Sequence, residues 1–343
     1  MIRNNLLPLL LIITIIVSSC SQEGPRRLPR HSGEPGEVLI VMDENLWTGS
    51  PGDSLSSLFE IYYPLLPQAE PSFSLLQFTP TQMSNLLRHH RNILRVKIGK
   101  GSEKNSLTLV KDKWSNEQLV FTLSAPDIES FYSLISSEIP QVAEIINEKE
   151  VERIKQKYNR SGNDDLERKL KKVYGIDLSI PRDFKVAKSE NGFTWLKRER
   201  IKYQGNTAHD ITQGLLFYTY PYRSDSALTH TDILAVRDSI LKEYVPGPKE
   251  GTYMTTEYLF EPVSKSLSLS GKYGVLTRGL WKTENYFMGG PFMSLTTTSA
   301  NDQNIICVSG FVFAPKFDKR EYIREIEAML RSVRVVSRDT SNS

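Results

Sequence analysis

The longest apolar run of the chain is its first, and it is too short to span a membrane. It extends from Leu6 to Val17, follows Arg3, and is interrupted by Pro8 and Thr14. Twelve helical residues cover about 18 Å, whereas the hydrocarbon core of a bilayer is about 30 Å thick. No later stretch approaches the roughly 18 consecutive apolar residues of a spanning helix. We therefore expect the rest of the chain to bury its apolar side chains within folded domains.

A short basic region, a short apolar region and two small residues are typical of a secretory signal, which we predict over residues 1–19. Val17-Ser18-Ser19-Cys20 resembles the lipobox of bacterial lipoproteins, in which an aliphatic residue and two small residues precede a lipidated cysteine. The resemblance implies cleavage before Cys20, acylation of its thiol and of the new amino terminus, and attachment to membrane lipid. Two acyl chains hold a protein stably on a bilayer, whereas one does so marginally. An ordinary cleaved signal with an incidental cysteine is the alternative.

The residues after Cys20 bear on where the protein is sorted. Ser21 rather than Asp follows the cysteine, which by analogy with lipoprotein sorting favours the outer membrane. We expect a lipid-anchored protein of the cell envelope that faces the periplasm, although Glu23 is a weak indication of export to the cell surface. Residues 20–36 are rich in proline and glycine, so we predict a flexible tether in which His31 is solvated.

The remaining sequence predicts an α+β fold with two mixed α/β domains. Strands mixed with helices define an N-terminal domain over residues 37–148. The C-terminal domain, residues 176–336, contains strand-rich stretches and two helices, at Asp232–Tyr244 and Lys319–Val333. We predict an antiparallel sheet in this domain, with its helices packed on one face. Residues 337–343 are predicted to be a disordered tail.

Between the two domains, residues 149–175 form a charged segment that we predict to be a helical connector. Nine basic and five acidic residues lie within 149–172. A solvated helix with ion pairs along its own surface is the favoured interpretation. A basic surface for anionic lipid or polysaccharide is the alternative.

Composition and motifs exclude several classes of function. The net charge is only +3, from 43 basic and 40 acidic residues, and gives no support for a nucleic-acid partner. The HExxH, GxSxG, Walker-type and dinucleotide-binding glycine motifs do not occur in the sequence. No CxxC pair or Cys/His cluster offers a zinc site, so we predict no metal, no cofactor and no marked catalytic residue. Cys307, in the apolar run NIICVSGFVF, is expected to be a free buried thiol.

An aromatic cluster within residues 278–292 is the candidate ligand site. Aromatic side chains beside the flexible Gly289-Gly290 pair suit a groove for a sugar or a peptide. A hairpin whose aromatic side chains fill the core is the other interpretation, and the favoured one. The candidate ligand-binding residues are Trp281, Tyr286, Phe287 and Phe292.

No histidine stands in a recognisable catalytic motif, although three could belong to a site assembled by the fold. His89 lies beside His90, and adjacent helical side chains diverge by about 100°, so the two cannot face one ligand together. His209 precedes Asp210, and His230 comes just before a predicted helix. An envelope hydrolase that acts on a glycan or a peptide through these histidines and dispersed carboxylates is therefore the alternative function.

Six segments of the sequence are distinctive in combination. They are VMDENLWTGSPGDSL (41–55), LPQAEPSF (66–73), RHHRNIL (88–94), YVPGPKEGTYMTTE (244–257), RGLWKTENYFMGGPF (278–292) and GFVFAPKFDKREYIREIEAML (310–330). Together they resemble an uncharacterised family of Bacteroidetes lipoproteins known only as a domain of unknown function. The resemblance covers nearly all of the mature chain and implies an envelope lipoprotein of a Gram-negative bacterium, without assigning catalytic residues. We therefore favour a non-enzymatic binding or scaffolding protein whose partner is an envelope protein or a glycan.

Overall fold

The computed structural model describes residues 28–99, 101–269 and 271–337. The predicted signal peptide, the predicted lipid attachment at Cys20, the first part of the predicted tether and residues 338–343 of the predicted tail lie outside the described residues. Within the described ranges, no helix is both long enough and apolar enough to cross a membrane.

The N-terminal half is built on a five-stranded mixed sheet. Its strands are β1 (Glu37–Val41), β2 (Ser74–Phe78), β3 (Asn92–Ile98), β4 (Ser106–Lys111) and β5 (Leu119–Ala125), and the helices α1 (Glu44–Trp47) and α2 (Ser50–Phe59) follow β1. The strand order is β2-β1-β3-β5-β4, and only β4 is antiparallel to its neighbour. β1 is a continuous apolar run because both faces are covered: Val38 and Ile40 pack on one side, Leu39 and Val41 on the other.

A long helix, α3 (Ile128–Arg160), covers this sheet and continues beyond it. Asp127 begins the helix, since its side chain accepts a hydrogen bond from the Ser130 amide at 2.8 Å. The apolar stripe of the first half packs against the sheet and includes Phe131, Ile135, Ile139, Val142 and Ile146. The helix runs unbroken through residues 149–160, so the first part of the charged segment extends the helix of the N-terminal half. A second helix, α4 (Asp164–Tyr174), follows after a short break.

The C-terminal half contains an eight-stranded antiparallel sheet. Its strands are β7 (Lys185–Glu190), β8 (Phe193–Gln204), β9 (Thr207–Pro221), β10 (Met254–Glu257), β11 (Val263–Leu269), β12 (Lys272–Thr283), β13 (Tyr286–Thr298) and β14 (Asn304–Phe313). The order is β10-β12-β13-β14-β9-β8-β7, and β11 pairs with β12 next to β10. Two short strands, β6 (Ile176–Asp177) and β15 (Arg334–Val335), pair separately.

Helices cover both faces of this sheet. The helix α6 (Arg320–Arg331) packs with α4 on one face, and α5 (His230–Tyr244) packs on the other. Along β14, Val308 and Val312 point toward α6, whereas Cys307 and Phe311 point toward α5. The α+β fold is confirmed, but the expectation of helices on one face needs correction, because alternation in the central strands leaves two apolar faces to be covered. Cys307 is a free buried thiol, as predicted.

Part of the predicted tether packs against the N-terminal half. The Ser32 amide donates a hydrogen bond to the His89 carbonyl at 2.8 Å, and the Arg91 amide donates to the Ser32 carbonyl at 3.0 Å. The Asn116 amide donates to the Pro29 carbonyl at 2.8 Å. The prediction of a flexible tether is therefore wrong for residues 29–36, here named the strap. His31, within the strap, is half-buried rather than solvated.

The two halves are joined at the start of α6 by one buried carboxylate. Glu70, which is 4% exposed, accepts hydrogen bonds from the amides of Lys319 at 2.8 Å and Arg320 at 2.7 Å. These amides belong to the first turn of a helix and have no acceptor within it. Further along α6, Glu327 accepts a hydrogen bond from the Tyr63 hydroxyl at 3.0 Å.

We expect Glu70→Ala to lower the free energy of unfolding by about 1–3 kcal/mol, because two buried amides lose their acceptor. Urea unfolding followed by circular dichroism measures the loss. The matched control is Glu144→Ala on the exposed side of α3, where we expect a change within about 0.5 kcal/mol. Equal effects of the two substitutions would contradict the role assigned to Glu70.

Candidate functional site

A groove of about 1000 Å³ opens on the α5 side of the C-terminal sheet. Its lining comes from the end of β9, the start of α5, the strands β11 and β12, and the end of β13. The side chains that give it chemical character are those of Tyr222, Asp225, His230, Ser264, Lys272, Tyr273 and Asp302.

The alternation of β11 places hydroxyl groups in this groove. Ser264 and Ser266 line the groove, whereas Leu267 and Leu269 pack into the core on the opposite face. Ser264 pairs with Thr277 in the antiparallel register of β11 and β12, so the two side chains lie side by side on one face. The strand thus presents a row of small polar groups next to the first turn of α5.

His230 and Ser264 form a hydrogen-bonded pair within the groove. The Nδ1 atom of His230 lies 2.7 Å from the Ser264 hydroxyl, which lies 2.8 Å from the hydroxyl of Thr277. Thr277 is fully buried. When Thr277 donates to Ser264, the Ser264 proton points at His230, and an imidazole with a free Nδ1 lone pair accepts it. This is the relationship of a serine nucleophile to its general base.

Two aspartates line the groove and are held in different ways. Asp225 accepts a hydrogen bond from the Tyr222 hydroxyl, which raises the pKa of Tyr222. Asp302 accepts hydrogen bonds from the Lys272 ammonium at 2.6 Å and from the Thr298 hydroxyl, and these lower the pKa of Asp302. Asp302 is therefore ionised at neutral pH and cannot serve as a proton donor there.

The four aromatic residues predicted as a candidate ligand site divide between the core and the surface. Trp281 is 2% exposed and donates a hydrogen bond to the Val312 carbonyl at 3.2 Å, and Phe292 is 1% exposed. Tyr286 and Phe287 lie at the exposed turn between β12 and β13, with Phe287 fully exposed. Trp281 and Phe292 are therefore core residues, as in the favoured interpretation of the hairpin, whereas Tyr286 and Phe287 are surface residues.

Of the three histidines considered from the sequence, only His230 lines the groove. The Nδ1 atom of His89 lies 3.0 Å from the Trp114 carbonyl oxygen, a contact that positions the loop before β5. His209 contacts the ring of Phe317 edge-on at the strand β9. Ser264 could not be recognised from the sequence, because it belongs to no motif and meets His230 only where the start of α5 lies beside β11. Among residues 28–99, 101–269 and 271–337, no three His, Cys, Asp or Glu side chains could hold a metal ion together.

Comparisons with known proteins identify no activity. A search of the curated proteins gave no match. Among solved structures, a protein from Bacteroides thetaiotaomicron matches with 6% identity and a TM-score of 0.26, over 48% of this chain and 46% of that one. A protein of unknown function from Pseudomonas aeruginosa matches with 12% identity and a TM-score of 0.25, over 48% of this chain and 92% of that one. The chain thus spans less than half the length of the first of these structures, and no functional inference is carried from either.

Two family models match consecutive parts of the chain. Residues 31–159 match a domain of unknown function (DUF8532), and residues 163–332 match another domain of unknown function (DUF4837). The boundary between the two matches falls at the break between α3 and α4. The two parts of the chain therefore fit protein families whose function is unknown.

Proposed function

We propose that this protein is a lipid-anchored, non-enzymatic protein of the bacterial cell envelope that binds a polar ligand in the groove at His230. The anchor rests on the sequence that ends at Cys20 and on the resemblance to Bacteroidetes lipoproteins. With a thiol-linked and an amide-linked acyl chain, the protein would remain on the outer membrane and face the periplasm. A partner would then be a component of the envelope, either a glycan or a segment of another protein.

The observation that carries the binding role is the composition of the groove. Tyr273, 56% exposed, offers an aromatic face, while Ser264, Ser266 and Lys272 offer hydroxyl and ammonium groups around it. An aromatic face stacks against the apolar side of a sugar or a peptide, and a few convergent polar groups fix the orientation of that ligand. Asp302 adds an acceptor of fixed negative charge. This combination suits a ligand rich in hydroxyl or amide groups.

The His230–Ser264 pair favours a second candidate, a hydrolase for acyl bonds. In such a reaction the Ser264 oxygen would bond to the acyl carbon while His230 Nδ1 takes its proton. The same proton would then pass to the leaving amine or alcohol, and water would release the acyl group from Ser264. Cleavage of a peptide or an ester fits this pair, because a serine next to a general base reacts through an acyl intermediate.

We expect Cys20→Ala to release the protein from the membrane fraction, because the acylation site is lost. Fractionation of cells that produce the variant measures the shift to the non-membrane fraction. The control is Cys307→Ala, which removes the other cysteine and should leave the protein in the membrane. Retention of the Cys20 variant in the membrane fraction would contradict the proposed anchor.

We expect Tyr273→Ala to weaken binding of solubilised envelope glycans or peptides by about tenfold, because the stacking face of the groove is removed. Isothermal titration calorimetry measures the affinity. Tyr203→Ala is the control, since Tyr203 is 67% exposed and lies outside the groove. If neither ligand class binds the wild-type protein, the binding role at this groove fails.

If the second candidate is correct, a fluorophosphonate probe will label Ser264, because His230 activates its hydroxyl. Mass spectrometry of the labelled protein locates the modified residue. Labelling should disappear in Ser264→Ala and His230→Gln but persist in Ser266→Ala, which changes the next hydroxyl of the same strand. Absence of labelling at Ser264 would contradict the second candidate.

A further inference from the structure

A second pocket, of about 560 Å³, lies between the strap, α3 and α6. Arg30 and His31 of the strap line this pocket. Arg91, which immediately precedes β3, and Lys157, in the second half of α3, also line it. It shares no lining residue with the groove at His230. The charged half of α3, which continues beyond the N-terminal sheet, forms one of its walls.

Beneath the pocket, one buried carboxylate forms ion pairs with two guanidinium groups. Glu150, which is 1% exposed, lies 2.7 Å from an Nη atom of Arg153 and 3.3 Å from an Nη atom of Arg91. Arg153 is fully engaged, because its remaining donors bind Asn92 Oδ1 and the backbone carbonyls of residues 91 and 117. Arg91 still has an unused donor. The residue is 6% exposed, and its buried Nε atom has no hydrogen-bond partner. A buried guanidinium donor gains free energy from a hydrogen-bond acceptor, so the Arg91 Nε–H is available to a ligand in the pocket.

The acidic residues that line the pocket each lie next to a cation. Glu325 pairs with Arg198 and Arg200, and Glu321 pairs with Arg320 and Arg324. Arg160, which also lines the pocket, lies 3.5 Å from Glu117 Oε1, a buried oxygen that accepts no hydrogen bond. Within the described part of the chain, the charged groups of Arg30 and Lys157 make no ion pair. The lining therefore has five basic and three acidic residues, and Arg30 and Lys157 contribute the unpaired positive charge.

His31 adds a neutral hydrogen-bonding group to this wall. Its Nδ1 atom is buried and has no partner. Burial, and then the charges of Arg91 and Arg153, lower the pKa of His31 to about 4. The imidazole is therefore uncharged at neutral pH and can donate one hydrogen bond to an anion beside Arg91.

We propose that this pocket binds a phosphate group, with Arg91 and Lys157 as its charge partners and with Arg30 and His31 closing over it from the strap. A phosphate ester carries up to about two negative charges and three acceptor oxygens, which matches several convergent cations and an unused Nε–H better than a carboxylate does. Arginine forks bind phosphate oxygens in pairs, and a partly buried site strengthens such bonds.

The phosphate could belong to a dissolved ligand or to a lipid headgroup. Arg30 follows Cys20 by ten residues, so an extended chain places it within about 36 Å of the attachment point. A headgroup source depends on the proposed anchor, whereas a dissolved source does not. Neither source depends on the groove at His230.

The test titrates inorganic phosphate into the full chain in detergent at constant ionic strength and measures binding by calorimetry. We expect saturable binding that is weakened by about tenfold or more in Lys157→Glu, because an attractive charge becomes a repulsive one. The control is Lys172→Glu, an equal charge change on the exposed surface of α4, where affinity should stay within about twofold. Arg91→Lys keeps a charge beside Glu150 but removes Nε, and should weaken binding while circular dichroism shows a folded protein.

A second measurement separates the two sources of phosphate. Native mass spectrometry of the same chain, with added phosphatidylglycerol or phosphatidylcholine, reports the lipid retained. Preferential retention of phosphatidylglycerol that is lost in Lys157→Glu assigns the site to a headgroup, and phosphate binding without such retention assigns it to a dissolved ligand. The proposal is overturned if neither probe binds, or if Lys157→Glu and Lys172→Glu bind phosphate equally.

Discussion

The contact between α3 and α6 is the interaction on which the rest of the structure depends. The first half of α3 belongs to the core of the N-terminal sheet, and its second half continues to the face of α6. Glu70 accepts hydrogen bonds from the first amides of α6, and Arg331 near its end pairs with Glu148 of α3 at 2.7 Å. The same helix also packs on the C-terminal sheet. α6 therefore contacts both halves of the protein.

The two candidate sites differ in how their polar groups are satisfied. In the groove, Thr277, Ser264 and His230 form a chain of hydrogen bonds and need no further partner to be stable. Under the strap, Arg91 and His31 each keep a buried nitrogen without a partner. Unsatisfied buried donors are rare because they lose the hydrogen bonds of water and gain nothing in return. The polar groups of the groove therefore satisfy one another, whereas those of the pocket keep hydrogen-bonding capacity for the phosphate that we propose.

Local patterns predicted the elements of the fold well. The helix predicted from Asp232 to Tyr244 begins two residues earlier, at His230, and the one predicted over Lys319–Val333 spans Arg320–Arg331. The free thiol of Cys307 followed from its apolar neighbours. The strap was missed because its prolines and glycines describe a chain without regular structure, whereas its packing depends on backbone hydrogen bonds to residues 89–91. The second covered face of the sheet was missed because the apolar pattern of a helix does not state which side of a sheet the helix packs against.

The sequence by itself determined the periodicity of each helix and strand, the α+β class and the apolar segment that ends near Cys20, since these depend on neighbouring residues alone. Only the tertiary structure decided which distant side chains meet. His230 and Ser264 are separated by 34 residues, and Asn92 reaches Glu150 across 58. Such pairs are created by strand register and helix packing, which rest on the burial of whole faces. The same burial placed Trp281 and Phe292 in the core and Phe287 in solvent, although the three stand within one short segment.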